Sequence, residues 1–181
     1  MDIKELMDDR IKKAKEKTEI LSGWILDHPG YLGTVLEYAA GARDPVKATC
    51  IEAIEFATKA RPDIATKDCF DFAAAQLSAK APRIKWESAK VIANTAHLYP
   101  NEIKKILPAL LKNTEHTGTV VRWSAAFALA AILKTGSSVH KELVPAVETI
   151  CRNEEKNSIR KIYIQALKNA VEMKSKFKSK K

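Results

Sequence analysis

An apolar residue followed by a basic one opens four otherwise dissimilar stretches: Val46-Lys47, Ile84-Lys85, Val121-Arg122 and Ile159-Arg160. The intervals between them are 38, 37 and 38 residues. Counting each apolar residue as zero, positions four, five and eight are Cys50/Ile51/Ile54, Ser88/Ala89/Ile92, Ala125/Ala126/Leu129 and Tyr163/Ile164/Leu167, which predicts one core register used four times. A second echo accompanies the first, since Val144-Pro-Ala-Val147 follows Leu107-Pro-Ala-Leu110 at a distance of 37 residues. A period of this length with apolar positions three and four apart suits paired helices stacked side by side, each burying on its neighbours a face it cannot bury alone. The chain therefore reads as an all-α helical solenoid of about four helix pairs behind an N-terminal cap.

The unit from Asn101 to Gly136 shows the pattern most fully. Ile103, Ile106, Leu107, Leu110 and Leu111 put an apolar stripe on its first helix, with Pro108 inside it to bend it and Asn101 as the expected N-cap. A polar turn over 113–119 leads to a second helix whose stripe is Val121, Ala125, Ala128, Leu129 and Ile132. The other units are 28–62, 63–100 and 137–173. Pro29, Pro45, Pro62, Pro82 and Pro100 fall at expected helix boundaries, independently of the hydrophobic pattern. Asp63 is the expected cap of the second unit's first helix, and Ser137 or Ser138 that of the fourth's. Residues 1–27 read as one long capping helix with Ile3, Leu6, Met7, Ile11 and Ala14 inward, weakened near Ser22-Gly23, and with Trp24 packed on the first unit. The last helix is expected to fade past Met173, leaving 174–181 as a flexible lysine-rich tail.

The motif Asp44-Pro45-Val46-Lys47, and Val120-Val121-Arg122-Trp123-Ser124-Ala125-Ala126 with Pro108 upstream, resembles the HEAT-repeat family over roughly Pro29 to Met173. The resemblance implies a right-handed α-α superhelix whose second helices line a concave binding face. It also implies an Asp in each mid-repeat turn that pairs with the basic column. Only Asp44 matches that Asp cleanly, so the ladder is in doubt in the later repeats.

Apolar residues make up 46% of the chain and charged residues 29%, which excludes a wholly disordered polymer. No apolar run approaches the roughly 20 residues of a membrane span. The charged start MDIKELMDDR lacks a signal peptide's apolar core, and the expectation is a cytoplasmic protein. Cys50, Cys69 and Cys151 are isolated from one another and from His, so they are expected as buried reduced thiols, with no metal site and no cofactor. Phosphate-binding loops and hydrolase or metalloprotease signatures are missing, and no small-molecule substrate suggests itself; the expectation is a binding protein rather than an enzyme.

A 3.6-residue helix places offsets two, six and nine opposite the buried stripe of each second helix. Those positions are Ala48, Glu52 and Glu55; Trp86, Lys90 and Ala93; Trp123, Phe127 and Ala130; Lys161, Gln165 and Lys168. They predict a strip with aromatic rings at its centre, acidic at one end and basic at the other. Two readings of Trp86 and Trp123 stand: rings that fill space between helices, or a recognition surface for a protein partner. The basic column Lys47, Lys85, Arg122 and Arg160 reads as structural, paired with turn carboxylates or carbonyls. The net charge is +9, and Lys174, Lys176, Lys178, Lys180 and Lys181 supply more than half of it. Such a run is either a solvated end or a phosphate-binding tail, which keeps nucleic acid as the alternative partner. Within the resemblance, the HEAT-like glycosylases of alkylated DNA bases are the catalytic branch. They combine groove aromatics with a carboxylate, and here no Asp lies in the strip and Glu87 is the nearest acid.

Overall fold

The computed structural model describes residues 2–135 and 138–178, the last six of these as backbone only. The described residues form ten α-helices and no strand. In chain order they are α1 (Ile3–Asp8), α2 (Ala14–Asp27), α3 (Leu32–Gly41), α4 (Asp44–Ala60), α5 (Lys67–Gln76), α6 (Pro82–Thr95), α7 (Ile103–Thr114), α8 (Thr119–Lys134), α9 (His140–Asn153) and α10 (Asn157–Lys178). They fall into two compact units, Met1–Thr95 and Ala96–Lys181.

In the first unit the second helices form one layer, α2 against α4 and α4 against α6, while α3 and α5 pack together on the other side of the core. Leu21, Ile25, Leu32, Val35, Ile51, Ile54, Phe70, Leu77, Ile84 and Ile92 are buried between the layers. Burying each such side chain contributes about 1.5–3 kcal/mol. Ala48, Ala53 and Ala57 are also buried, and their small size lets α4 approach its neighbours closely. Pro45 and Pro82 sit in the first turns of α4 and α6, where a missing N–H costs nothing.

The capping segment is two helices where the sequence suggests one. The Asp9 carboxylate accepts from the backbone N–H of Ile11 at 2.7 Å and of Lys12 at 3.2 Å, and from Lys12 Nζ at 2.7 Å. These bonds satisfy a turn rather than a continuing helix. The Lys12 bond, then the two backbone donors, hold the Asp9 carboxyl down at about 2. Ile11, placed inward by its phase, is instead 92% exposed in that turn. Ser22 and Gly23 lie inside an unbroken α2. Trp24 stacks on Tyr31 with ring centroids 4.4 Å apart.

Helix starts also differ in detail. Thr66, not Asp63, caps α5: its Oγ1 accepts from the Cys69 N–H at 3.2 Å, while Asp63 pairs with Arg61 in a short 3-10 turn. Asn101 lies outside α7, which starts from Glu102 with no side-chain cap. Val139 precedes α9, likewise without a side-chain cap, and Ser137 lies outside the described residues.

In the second unit α8 packs on α7, α9 and α10, and α9 on α10. Ile103, Leu110, Val121, Leu129, Ile132, Leu143, Val147, Ile159 and Tyr163 make its core. The shared register holds at Val121, Ala125, Ala126 and Leu129, and at Ile159 and Tyr163. It fails at Ile164, expected in the core and found 42% exposed. No described helix covers that side of α10. The expected end of order at Met173 falls inside α10, whose backbone stays helical through Lys178.

Candidate functional site

On the first unit, Trp86 and Lys90 stand one turn apart on α6. The Lys90 Nζ lies 3.0 Å from Glu55 Oε2 of α4 and 2.9 Å from Glu87 Oε2. The same ammonium sits 5.4 Å from the Trp86 ring centroid and 5.9 Å from that of Phe56. One cation thus joins two carboxylates and two aromatic faces. Neighbouring bonds lace the layer together: Glu52 Oε2 accepts from Thr18 Oγ1 of α2 at 2.9 Å and from Arg83 of α6 at 2.7 Å. Asn94 Nδ2 donates to the Glu55 carbonyl and to Thr58 Oγ1.

Glu87 is fully buried, and its Oε1 has no hydrogen-bond partner. Burial pushes its carboxyl up, only partly opposed by Lys90. For Lys90 burial acts downward, but the bonds to Glu87 and Glu55 outweigh it and its pKa is raised. Lys90 is therefore a held cation, not a free one. Ala48 and Glu55, placed outward by phase, are buried because α2 and α6 flank α4 on both sides. Trp86 is half-buried and its Nε1 is enclosed without a partner.

On the second unit, Trp123 and Phe127 stack face to face along α8, with centroids 5.4 Å apart and planes 7° from parallel. Trp123 is half-buried and Phe127 is 38% exposed. On the adjoining α10, Lys161, Gln165 and Lys168 are all exposed, and Gln165 bonds Asn169 at 3.0 Å. Thus Trp86 is grouped with Lys90 in one unit, and Trp123 with Phe127 beside the α10 residues in the other. Lys174, Lys176 and Lys178 lie in the last turns of α10, and Lys180 and Lys181 lie outside the described residues.

Three of the four basic-column residues hold turns. Lys85 donates to the Leu77 carbonyl, and Arg160 to that of Glu155. Arg122 donates to the carbonyls of His116 and Thr117 and to both carboxylate oxygens of Glu154. Glu154, in the turn before α10, supplies the carboxylate where an Asp is expected, and a motif search for Asp passes over it. Burial pushes its carboxyl up, but the bonds from Arg122 and the Lys156 N–H prevail and hold it below its ordinary value. With its donors engaged this way, Arg122 forms one wall of a polar cleft of about 380 Å³, with Glu115, Asn153 and Glu154 among the others.

Phase alone puts Glu55 in the strip but gives neither Phe56 nor the pairing of Glu55 and Glu87 on one cation. The available signal was acidic α4 facing a basic position on α6, with Glu55 and Lys90 35 residues apart, close to one period. Cys50, Cys69 and Cys151 are buried free thiols. Among the described residues no group of three or more His, Cys, Asp or Glu could hold a metal, and no helix is long and apolar enough to cross a membrane.

These layered helix pairs define a helical-repeat solenoid fold of the armadillo-like kind. A designed armadillo repeat protein in complex with the peptide (KR)4 is similar at a TM-score of 0.67 and 18% identity, over 93% of this chain and 80% of that one. An engineered protein matches at 0.68 and 19%, over 93% and 79%. A computationally designed armadillo repeat protein for modular peptide recognition matches at 0.64 and 16%, over 93% and 80%. No protein-family model matches the sequence. No curated protein matches it either.

Proposed function

We propose that the protein is a non-enzymatic, cytoplasmic interaction module of HEAT type that binds a protein segment on its second helices. The observation that carries this reading is the stacked Trp123–Phe127 pair. Two large rings are held parallel and partly open to solvent on α8, and the adjoining α10 carries exposed Lys161, Gln165 and Lys168. Preformed aromatic anchors with a polar border are the usual make-up of a binding hot spot. On the other unit, Trp86 with Lys90 is the secondary candidate, tuned by Glu55 and Glu87. Designed proteins of similar fold are described as peptide binders, one of them in complex with a basic peptide. The exposed lysines of the adjoining α10 favour an acidic segment here. Burial of Glu87 leaves the carboxylate nearest Trp86 unsuited to base excision, which supports a binding role over a glycosylase.

The test is selection of binders from a randomised peptide library against the full chain. Selected peptides should bind Trp123→Ala about 30-fold more weakly, a loss of about 2 kcal/mol typical of a hot spot. Peptides whose affinity ignores Trp123 and Phe127 would sink this reading. The second reading, nucleic acid, rests on residues 96–181, which hold 16 basic and 7 acidic side chains while residues 1–95 hold 15 of each.

A further inference from the structure

Offsets five and twelve from the signature residue are buried positions on α4 and on α8. On α4 these are Ile51 and Thr58, both buried, and Thr58 Oγ1 accepts from Asn94 of α6. On α8 they are Ala126 and Leu133, both buried in the unit where α8 packs on α10. On α10 they are Ile164 and Val171, and these are 42% and 67% exposed. The two register positions that are buried on α4 and α8, one of them bonded to the following helix, are thus open on α10. They lie seven residues apart on one face, bordered by exposed Lys161 and Lys168.

We infer that this face of α10 is a docking site for an acidic amphipathic helix of another protein, which seats where a further second helix of the stack would lie. This surface shares Lys161 and Lys168 with the face that carries the Trp123–Phe127 pair, but it is built on Ile164 and Val171 and does not need the two rings. The acidic character of the occupant follows from charge. Over residues 157–178 the helix carries six basic side chains and one acidic one, Glu172. A second copy of α10 would meet it with the same sign, which opposes pairing of like helices. The acidic N-terminal helix α1 of a second copy is also a poor occupant, because its apolar residues Ile3, Leu6 and Met7 are already buried in its own fold. A helix with apolar residues at i, i+3 or i+4, and i+7, flanked by Glu, matches both the apolar spacing and the charge.

The experiment uses the full chain and a synthetic amphipathic peptide with Leu at that spacing and Glu at the flanking positions, read by fluorescence anisotropy. Its control has Lys in place of every Glu. The acidic peptide should bind at least tenfold more tightly than the control. The double variant Ile164→Ser with Val171→Ser should lose that binding at least tenfold with an unchanged circular dichroism spectrum, and Trp123→Ala should keep it. Lys161→Glu with Lys168→Glu should reverse the preference toward the Lys peptide. Equal binding of both peptides, or indifference to the Ile164 and Val171 changes, would overturn the proposal. Concentration-dependent self-association by sedimentation, abolished by the same double variant, would also overturn it by making a second copy the occupant.

Discussion

Among the described residues Tyr163 is the largest fully buried side chain, and its hydroxyl has no hydrogen-bond partner. A buried unsatisfied hydroxyl costs about 1–3 kcal/mol. Tyr163→Phe removes the oxygen and keeps the ring, so the urea midpoint should rise by the equivalent of about 1 kcal/mol. A fall would mean that the hydroxyl has a partner. Lys90 is the opposite case, a cation with two buried carboxylates on it. Lys90→Met should cost about 3–5 kcal/mol at pH 7.5, because breaking a buried pair strands the remaining charge. The pH dependence follows from Glu87. A carboxyl raised in the folded state binds its proton more readily there than in the unfolded chain. Its penalty is therefore full above the folded pKa and disappears as pH falls toward the ordinary 4.5. Without Lys90 the carboxyl rises further, so the deficit of the variant should shrink between pH 7.5 and pH 5. A deficit that stays constant over that range would count against Glu87 as its source.

Helix boundaries show where local chemistry decides. Thr66 and Asp63 are both plausible caps in sequence, but only Thr66 receives the α5 backbone N–H. Thr66→Ala should cost about 1 kcal/mol, the usual loss for an N-cap, while Asp63→Ala should leave the denaturation midpoint in place. The reverse order would restore Asp63 as the cap. The break between α1 and α2 has a similar origin. Ile11 fits a helical stripe by spacing, yet the Asp9 side chain offers the Ile11 and Lys12 amides a competing acceptor, and the turn wins. Hydrophobic phase alone does not register that competition. Prolines were more reliable guides: Pro45 and Pro82 do open α4 and α6.

Across the chain, charge is divided unevenly. Residues 1–95 are formally neutral and residues 96–181 hold the whole excess of nine. Lysine-rich surface of this kind attracts phosphates through counterion release, which salt opposes. Random duplex DNA should accordingly be held at 20 mM salt and released near 150 mM, and deletion of Lys174–Lys181 should flatten the slope of log affinity against log salt. Affinity for DNA that survives physiological salt and is lost on Trp123→Ala would move the balance toward the nucleic-acid reading.

Periodicity was enough to reveal the repeat, the pairing of helices and most of the core, since burial on a neighbouring helix demands apolar side chains at 3.6-residue spacing wherever it occurs. Trp123 and Phe127 were legible as candidates for the same reason, being large rings at the phase opposite that demand. Which side chains meet across helices was not legible. Lys90 between Glu55 and Glu87, Glu154 in the place of an Asp, and the buried Ala48 all depend on what lies beside a helix, and a one-dimensional phase counts only a helix's own turns. Ile164 makes the point most plainly: its position in the register is that of a core residue, but burial needs a second surface, and only the folded chain shows that none of its described helices provides one.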